Sequence, residues 1–178
     1  MIELSAHNPL KRNTRSRGDS ALMNITIIKA SVNYIEDCKV ALVNSELGRQ
    51  YFPVEANAIF ALREGIEKEE VYIALNNKAN CMGFIWFIQK GAFHSFPYLH
   101  IIAVKDEYRG LGIGKRLIEF FEDSGFENNA KVFLVVADFN PKAKKLYMSL
   151  GYKEVGSIPD LYKRGVTEYL MMKEKTSK

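Results

Sequence analysis

Tyr98 to Gly114, YLHIIAVKDEYRGLGIG, is the stretch that decides the fold. Up to Val104 it is an apolar run with residues of both parities filled, the pattern of a strand packed on both faces. Arg109, Gly110, Gly112 and Gly114 then form a glycine-rich turn ahead of an amphipathic segment, Lys115 to Glu122. The glycines therefore fall where a strand gives way to a helix N-terminus. Such a junction suits an anion, because free N–H groups and the positive end of the helix dipole point outward and glycines let a phosphate reach the main chain.

The spacing excludes two common phosphate loops. A G-x-x-x-x-G-K-S/T loop would need Gly where Arg109 stands and a hydroxyl where Arg116 stands. A G-x-G-x-x-G fingerprint fails because the glycines run G-x-G-x-G, with Leu117 in the third position of the alternative register. What the stretch does contain is R-x-x-G-x-G, Arg109 to Gly114. Downstream, NPKAKKLYMSLGY sets Asn140, Ala143, Leu146 and Tyr147 in the pattern N-x-x-A-x-x-L-Y, followed by the pair Gly151 and Tyr152. Asn140 is a good N-cap, Pro141 suits the first helical position and Gly151 is a stop, so a helix is expected over Pro141 to Leu150. Before it, VFLVVAD, Val132 to Asp138, reads as a strand, giving a second strand-to-helix junction beside the first.

Together these motifs resemble the Gcn5-related N-acetyltransferases (GNAT), over about Met23 to Lys173. The resemblance implies an α/β single domain: a mixed, mostly antiparallel sheet with a central splayed parallel strand pair, flanked by helices. It implies acetyl-CoA as co-substrate and no metal. The pyrophosphate would lie on the N–H groups of Arg109, Gly110, Leu111, Gly112, Ile113, Gly114 and Lys115. The pantetheine arm would run along the main chain of Ile102, Ala103 and Val104, with Asn140, Ala143 and Tyr147 beside it and a main-chain N–H near Val104 on the thioester carbonyl. Tyr147 would be the general acid. A phenol near pKa 10 is protonated at neutral pH and a cysteine-like thiol lies near 8.5, so proton transfer to a departing thiolate needs little help.

Acyl transfer to an amine also calls for a base, since a lysine-like ammonium has a pKa near 10.4. His100, expected on a strand face with Tyr98, Ile102 and Val104, and Asp138, at the end of the next strand, are candidates; His94 and Glu55 are weaker ones. A buried, hydrogen-bonded core histidine and a water-only mechanism remain open beside them. Tyr51 and Phe52, between two early helical segments, and Phe93, Phe96 and Tyr162 are candidates to shape the acceptor site, with core packing as the other reading. The acceptor stays open among a small amine or polyamine, an amino acid or antibiotic, and a peptide N-terminus or lysine. A non-catalytic acyl-CoA-binding sensor or interaction module is the alternative from another class.

Composition bounds the rest. At 178 residues and 47% hydrophobic content the chain is one domain's worth. Residues Met1 to Leu22 carry four basic residues among Asn, Ser, Thr and Gly without apolar periodicity, and read as a disordered leader. The catalytic domain is expected over 23–173, with a tail over 174–178. A net charge of +4 is too small to indicate nucleic acid. No apolar run is long enough for a bilayer and no secretion signal is evident, so a cytoplasmic protein is expected. Cys38 and Cys81 have no metal-type spacing. Asn24 to Ala30, Val71 to Leu75, Met82 to Gln89 and Glu168 to Met172 read as further strands, and 54–67 as a helix. A C-terminal edge strand offers a surface for a homodimer.

Overall fold

The computed structural model describes residues 24–176; the expected leader lies outside the described residues. Seven strands form one sheet in the order β1-β2-β3-β4-β5-β7-β6. They are β1 (Thr26–Lys29), β2 (Val71–Leu75), β3 (Cys81–Ala92), β4 (Phe96–Val104), β5 (Lys131–Ala137), β6 (Lys153–Pro159) and β7 (Thr167–Glu174). Helices α1 (Ile35–Val43), α2 (Glu46–Tyr51) and α3 (Glu55–Glu67) precede β2, α4 (Ile113–Phe126) joins β4 to β5, and α5 (Pro141–Ser149) follows β5. Every pairing is antiparallel except β4 with β5. The expected mixed α/β architecture with one parallel pair is therefore the one found.

Each sheet face carries its own apolar core. Ile113, Leu117, Ile118 and Phe121 of α4 and Tyr147 of α5 pack on Ile85, Phe87 and Leu99. On the opposite face Leu42 of α1 and Ala58, Leu62 and Ile66 of α3 pack on Ile73, Phe84, Trp86 and Ile101. Burying apolar side chains on both faces is the main favourable term holding these layers together.

The decisive irregularity lies in β4. Opposite Trp86 and Phe87 of β3 stand Ile101 and Leu99, so His100 is the extra residue of a β-bulge. A bulge shifts side-chain parity by one. Leu99, Ile102 and Val104 consequently face the α4 core, whereas Ile101 and Ala103 join the α1/α3 core. His100 lies with Trp86, ring centroids 4.6 Å apart, and not on the face of Ile102 and Val104 expected from unbroken alternation. This corrects the sequence reading, which had no bulge in it. β4 pairs with β5 only at Tyr98–Phe133 and Leu99–Leu134, and past the bulge the two strands part.

α5 forms as its ends dictate. Asn140 accepts a hydrogen bond from the Ala143 N–H at 3.3 Å, Pro141 occupies the first turn, and Gly151 follows with φ +94°. Asn140→Ala removes one of the few partners for the orphan N–H groups, at a cost of about 1 kcal/mol. A thermal melt should show a fall of roughly 2–4 °C for a domain of this size.

Candidate active site

Where β4 and β5 part, two adjoining cavities open. The first, about 320 Å³, lies among α2, β4, β5, α5 and β7, and includes His100, Ile102, Val136, Asn140, Tyr147 and Glu168 in its lining. The second, about 650 Å³, is more polar and runs from Ile102, Ala103 and Val104 to Arg49, Arg109 and Lys142. Ser45, Glu46, Ile102, Phe139 and Asn140 border both, so the two form one continuous cleft. On the β5 side the main chain beyond Leu99 has no strand partner, leaving N–H and C=O groups available to a thin ligand.

Arg109, in the outer cavity's lining, opens the glycine turn that leads to the N-terminus of α4 at Ile113. The first loop-to-helix bond runs from the Arg116 N–H to the Gly112 carbonyl at 3.1 Å, so the N–H groups ahead of it lie at the helix's free end. Gly110 and Gly112 have φ of +77° and +82°, a conformation that favours glycine, and a Cβ on either would meet nothing within 4 Å. Both facts fit a turn kept bare for a bulky anion. The Arg109 guanidinium is engaged structurally. It donates to the Val104 and Asn44 carbonyls, each at 3.1 Å, and pairs with Asp106 at 2.7 Å. It thereby ties the loop to β4 and to the α1–α2 turn.

Tyr147 reaches the inner cavity from α5 and is 6% exposed. Its ring packs edge-on to Tyr152 at 5.7 Å. Burial pushes its phenol above the ordinary value. His100 borders the same cavity, and burial holds its imidazole below the usual histidine range, against the weaker opposing pull of Glu70 and Glu64. It is therefore neutral at pH 7.

The remaining candidates divide. Tyr51, Phe52 and Tyr162 line the inner cavity. Phe93 and Phe96 line neither cavity and instead pack on Phe133, at 5.5 and 5.4 Å, closing the β3–β4 hairpin. Asp138 is exposed, lies outside the lining, and accepts a hydrogen bond from the Thr167 N–H at 3.1 Å. His94 sits exposed in the hairpin turn with φ +55°, and Glu55 is exposed and paired with Lys39 at 3.4 Å.

One residue of the site is read from the sequence only as the start of a strand. Glu168 of β7 is 2% exposed, the single buried charged side chain among the described residues, and it borders the inner cavity. The Tyr51 hydroxyl donates to its Oε1. Burial, with a smaller push from Asp138, raises its carboxyl above the usual range despite the opposing Tyr51 bond.

The family model described as the acetyltransferase (GNAT) family matches residues 40–152, more than half of the chain. Among curated proteins, the N-alpha-acetyltransferase RimI of Mycobacterium tuberculosis is 30% identical over 114 residues, covering 63% of this chain and 71% of that one. The thialysine N-epsilon-acetyltransferase of Sus scrofa is 35% identical over 82 residues, 44% of this chain and 48% of its own length. Across such relatives the matched segment spans between 31% and 71% of their length. Ard1 from Thermoplasma volcanium superposes with a TM-score of 0.70 at 21% identity, covering 86% of this chain and 99% of that one. With a split parallel strand pair, a bare glycine turn at the α4 N-terminus and a family match spanning both, the chain belongs to the acetyltransferase (GNAT) family, whose members are acetyl-CoA-dependent N-acetyltransferases.

Proposed function

We propose that this protein transfers the acetyl group of acetyl-CoA to a primary amine, of a small molecule or a peptide, by direct attack within a ternary complex. The observation that carries the reading is the continuity of the cleft. It has Arg109, the first residue of the glycine turn ahead of α4, at one end, strand backbone free on its β5 side along its length and a buried phenol at the other. The N–H groups of 109–115 hold the pyrophosphate, and the main chain of 102–104 and the Asn140 side chain hold the pantetheine. The N–H near Val104 polarises the thioester carbonyl, where charge develops as the amine attacks. Tyr147 protonates the departing sulfur.

Thiol release from acetyl-CoA, measured against polyamines, amino acids, aminoglycosides and short peptides, tests this. An acceptor-dependent rate is expected, and mass spectrometry should show the amine heavier by one acetyl group. Binding of acetyl-CoA without release for any amine would point instead to a sensor of acyl-CoA.

A further inference from the structure

The inner cavity is built around an unbalanced carboxylate. Its lining holds Glu46 and Glu168 but no Lys or Arg. Glu46 is met at the surface by Arg49 at 2.6 Å. Glu168, deep in the wall, has a neutral partner only, the Tyr51 hydroxyl. The other titratable groups on the surrounding elements do not supply a cation. From β4 come Tyr98 and His100, the latter kept neutral by burial. The turn after β5 brings Asp138, itself acidic, and α5 brings Tyr147. Of the α5 lysines, Lys142 borders only the outer cavity, Lys144 is held by Glu154 at 2.7 Å, and Lys145, like Arg164 of the β6–β7 loop, is exposed and outside both linings. The loop between β6 and β7 brings Tyr162 and Lys163, but the Lys163 ammonium is exposed and donates to the Gln50 Oε1 at 3.0 Å. A buried carboxylate is costly to keep ionised without a cation.

Around Glu168 the wall is aromatic. Tyr51 packs edge-on to Phe139 at 5.6 Å and to Tyr162 at 6.0 Å, and the Tyr98 and Tyr162 hydroxyls lie 3.0 Å apart. Aromatic rings beside a carboxylate make a setting that attracts an ammonium, the carboxylate by its charge and the rings by their quadrupoles.

Resting on the acetyl-transfer reading, we infer that Glu168, oriented by Tyr51, receives the acceptor as its ammonium ion and takes the proton that must leave before nitrogen can attack. The ammonium gives one proton to the Glu168 carboxylate, and the freed lone pair forms the N–C bond to the acetyl carbon. The C–S bond breaks as the carbonyl re-forms, Tyr147 protonates sulfur, and nitrogen's surplus proton restores the phenol. Glu168 then releases its proton to solvent, so each turnover yields amide, free thiol and one proton. The acceptor class follows: a primary alkyl ammonium without a carboxylate beside it, since a second anion next to Glu168 would be repelled.

Glu168→Gln keeps an oxygen to accept from Tyr51 and so preserves the fold while removing the base. With n-butylamine, spermidine, a lysine-free peptide bearing a free N-terminus, and an N-blocked peptide containing lysine as probes, kcat/KM should fall about 10²-fold or more. The wild-type profile should rise with pH through an acid limb above the ordinary carboxylate range, because only ionised Glu168 accepts a proton. That limb should vanish in the variant, leaving the rise of the amine's own ionisation, and Glu168→Asp should restore the limb at reduced rate. Calorimetry of the same amines with the CoA-loaded protein, where no transfer occurs, should show affinity at least tenfold weaker in Glu168→Gln. Wild-type acetylation with a variant within threefold, an unchanged acid limb and unchanged amine affinity would overturn this role alone. Acetyl-CoA binding without acetylation of any probe by the wild type would overturn the parent reading, and this inference with it.

Discussion

Tyr147→Phe should bind acetyl-CoA as the native protein does and release its thiol about 10²-fold more slowly or worse, the loss typical of removing a positioned general acid. The substitution is well isolated. The ring stays, with its edge-on contact to Tyr152, and no protein hydrogen bond of the hydroxyl is given up among those of the described residues. Stability should therefore change by less than about 1 kcal/mol. The pH dependence follows from the sign of the shift. The acid works in its protonated form, and burial raises the phenol above its ordinary value near 10. The alkaline limb due to Tyr147 is thus displaced upward, out of the range where the thiolate leaving group titrates. Stopped-flow measurement of thiol release, with CoA affinity taken from calorimetry, separates the loss in kcat from any loss in binding. A variant with native kcat would remove the phenol from the mechanism.

The parts of this site that could be read in the sequence are those written locally. The α5 cap, Asn140 followed by Pro141, and the positive-φ glycines 110 and 112 announce themselves within a few residues. So does β2, whose bounds coincide with the apolar run 71–75. The bulge at His100 does not. An apolar run filled at both parities looks the same whether or not one residue is slipped, and the slip decides which side chains face which core. β6 was equally silent: KEVGSIP, with Gly and Pro inside it, lies wholly exposed at the sheet edge and carries no inward stripe. Glu168 escaped because its meaning is tertiary. In the sequence it opens an ordinary strand, while its partner Tyr51 lies 117 residues away. The usable signal was a charged residue in line with the apolar positions of EYLMM, since a buried carboxylate in a strand needs a reason.

α2 was also not expected as a helix, and it gives the largest predicted effect on stability. Gly48 sits in it where the chain doubles back on the end of α1. A Cβ there would lie 1.8 Å from the Leu42 carbonyl oxygen, 2.6 Å from its carbon and 2.9 Å from the Val43 Cα. All three are backbone atoms, so no rotamer change can relieve the clash; α2 itself must move. The Gly48 N–H also donates to the Ser45 Oγ at 2.9 Å, the bond that caps α2, and its carbonyl accepts from the Phe52 N–H at 2.8 Å. Gly48→Ala should therefore destabilise the domain by about 3 kcal/mol, the upper part of the range for overpacking a filled site. At this chain length that is a fall of roughly 6–12 °C in Tm. Function should suffer separately, because α2 carries Tyr51, the hydroxyl donor to Glu168, and supplies Glu46 and Leu47 to the cleft wall. At a temperature where the variant is still folded, the KM for the amine should rise more than the KM for acetyl-CoA, whose proposed backbone contacts lie on β4 and the α4 loop. Gly156→Ala is the matched control: a Cβ on that edge-strand glycine meets nothing within 4 Å, and its melt should overlay the native one. Equal Tm values for the two variants would show that the α1–α2 turn yields freely, and that the wall holding Tyr51 is not fixed by this contact.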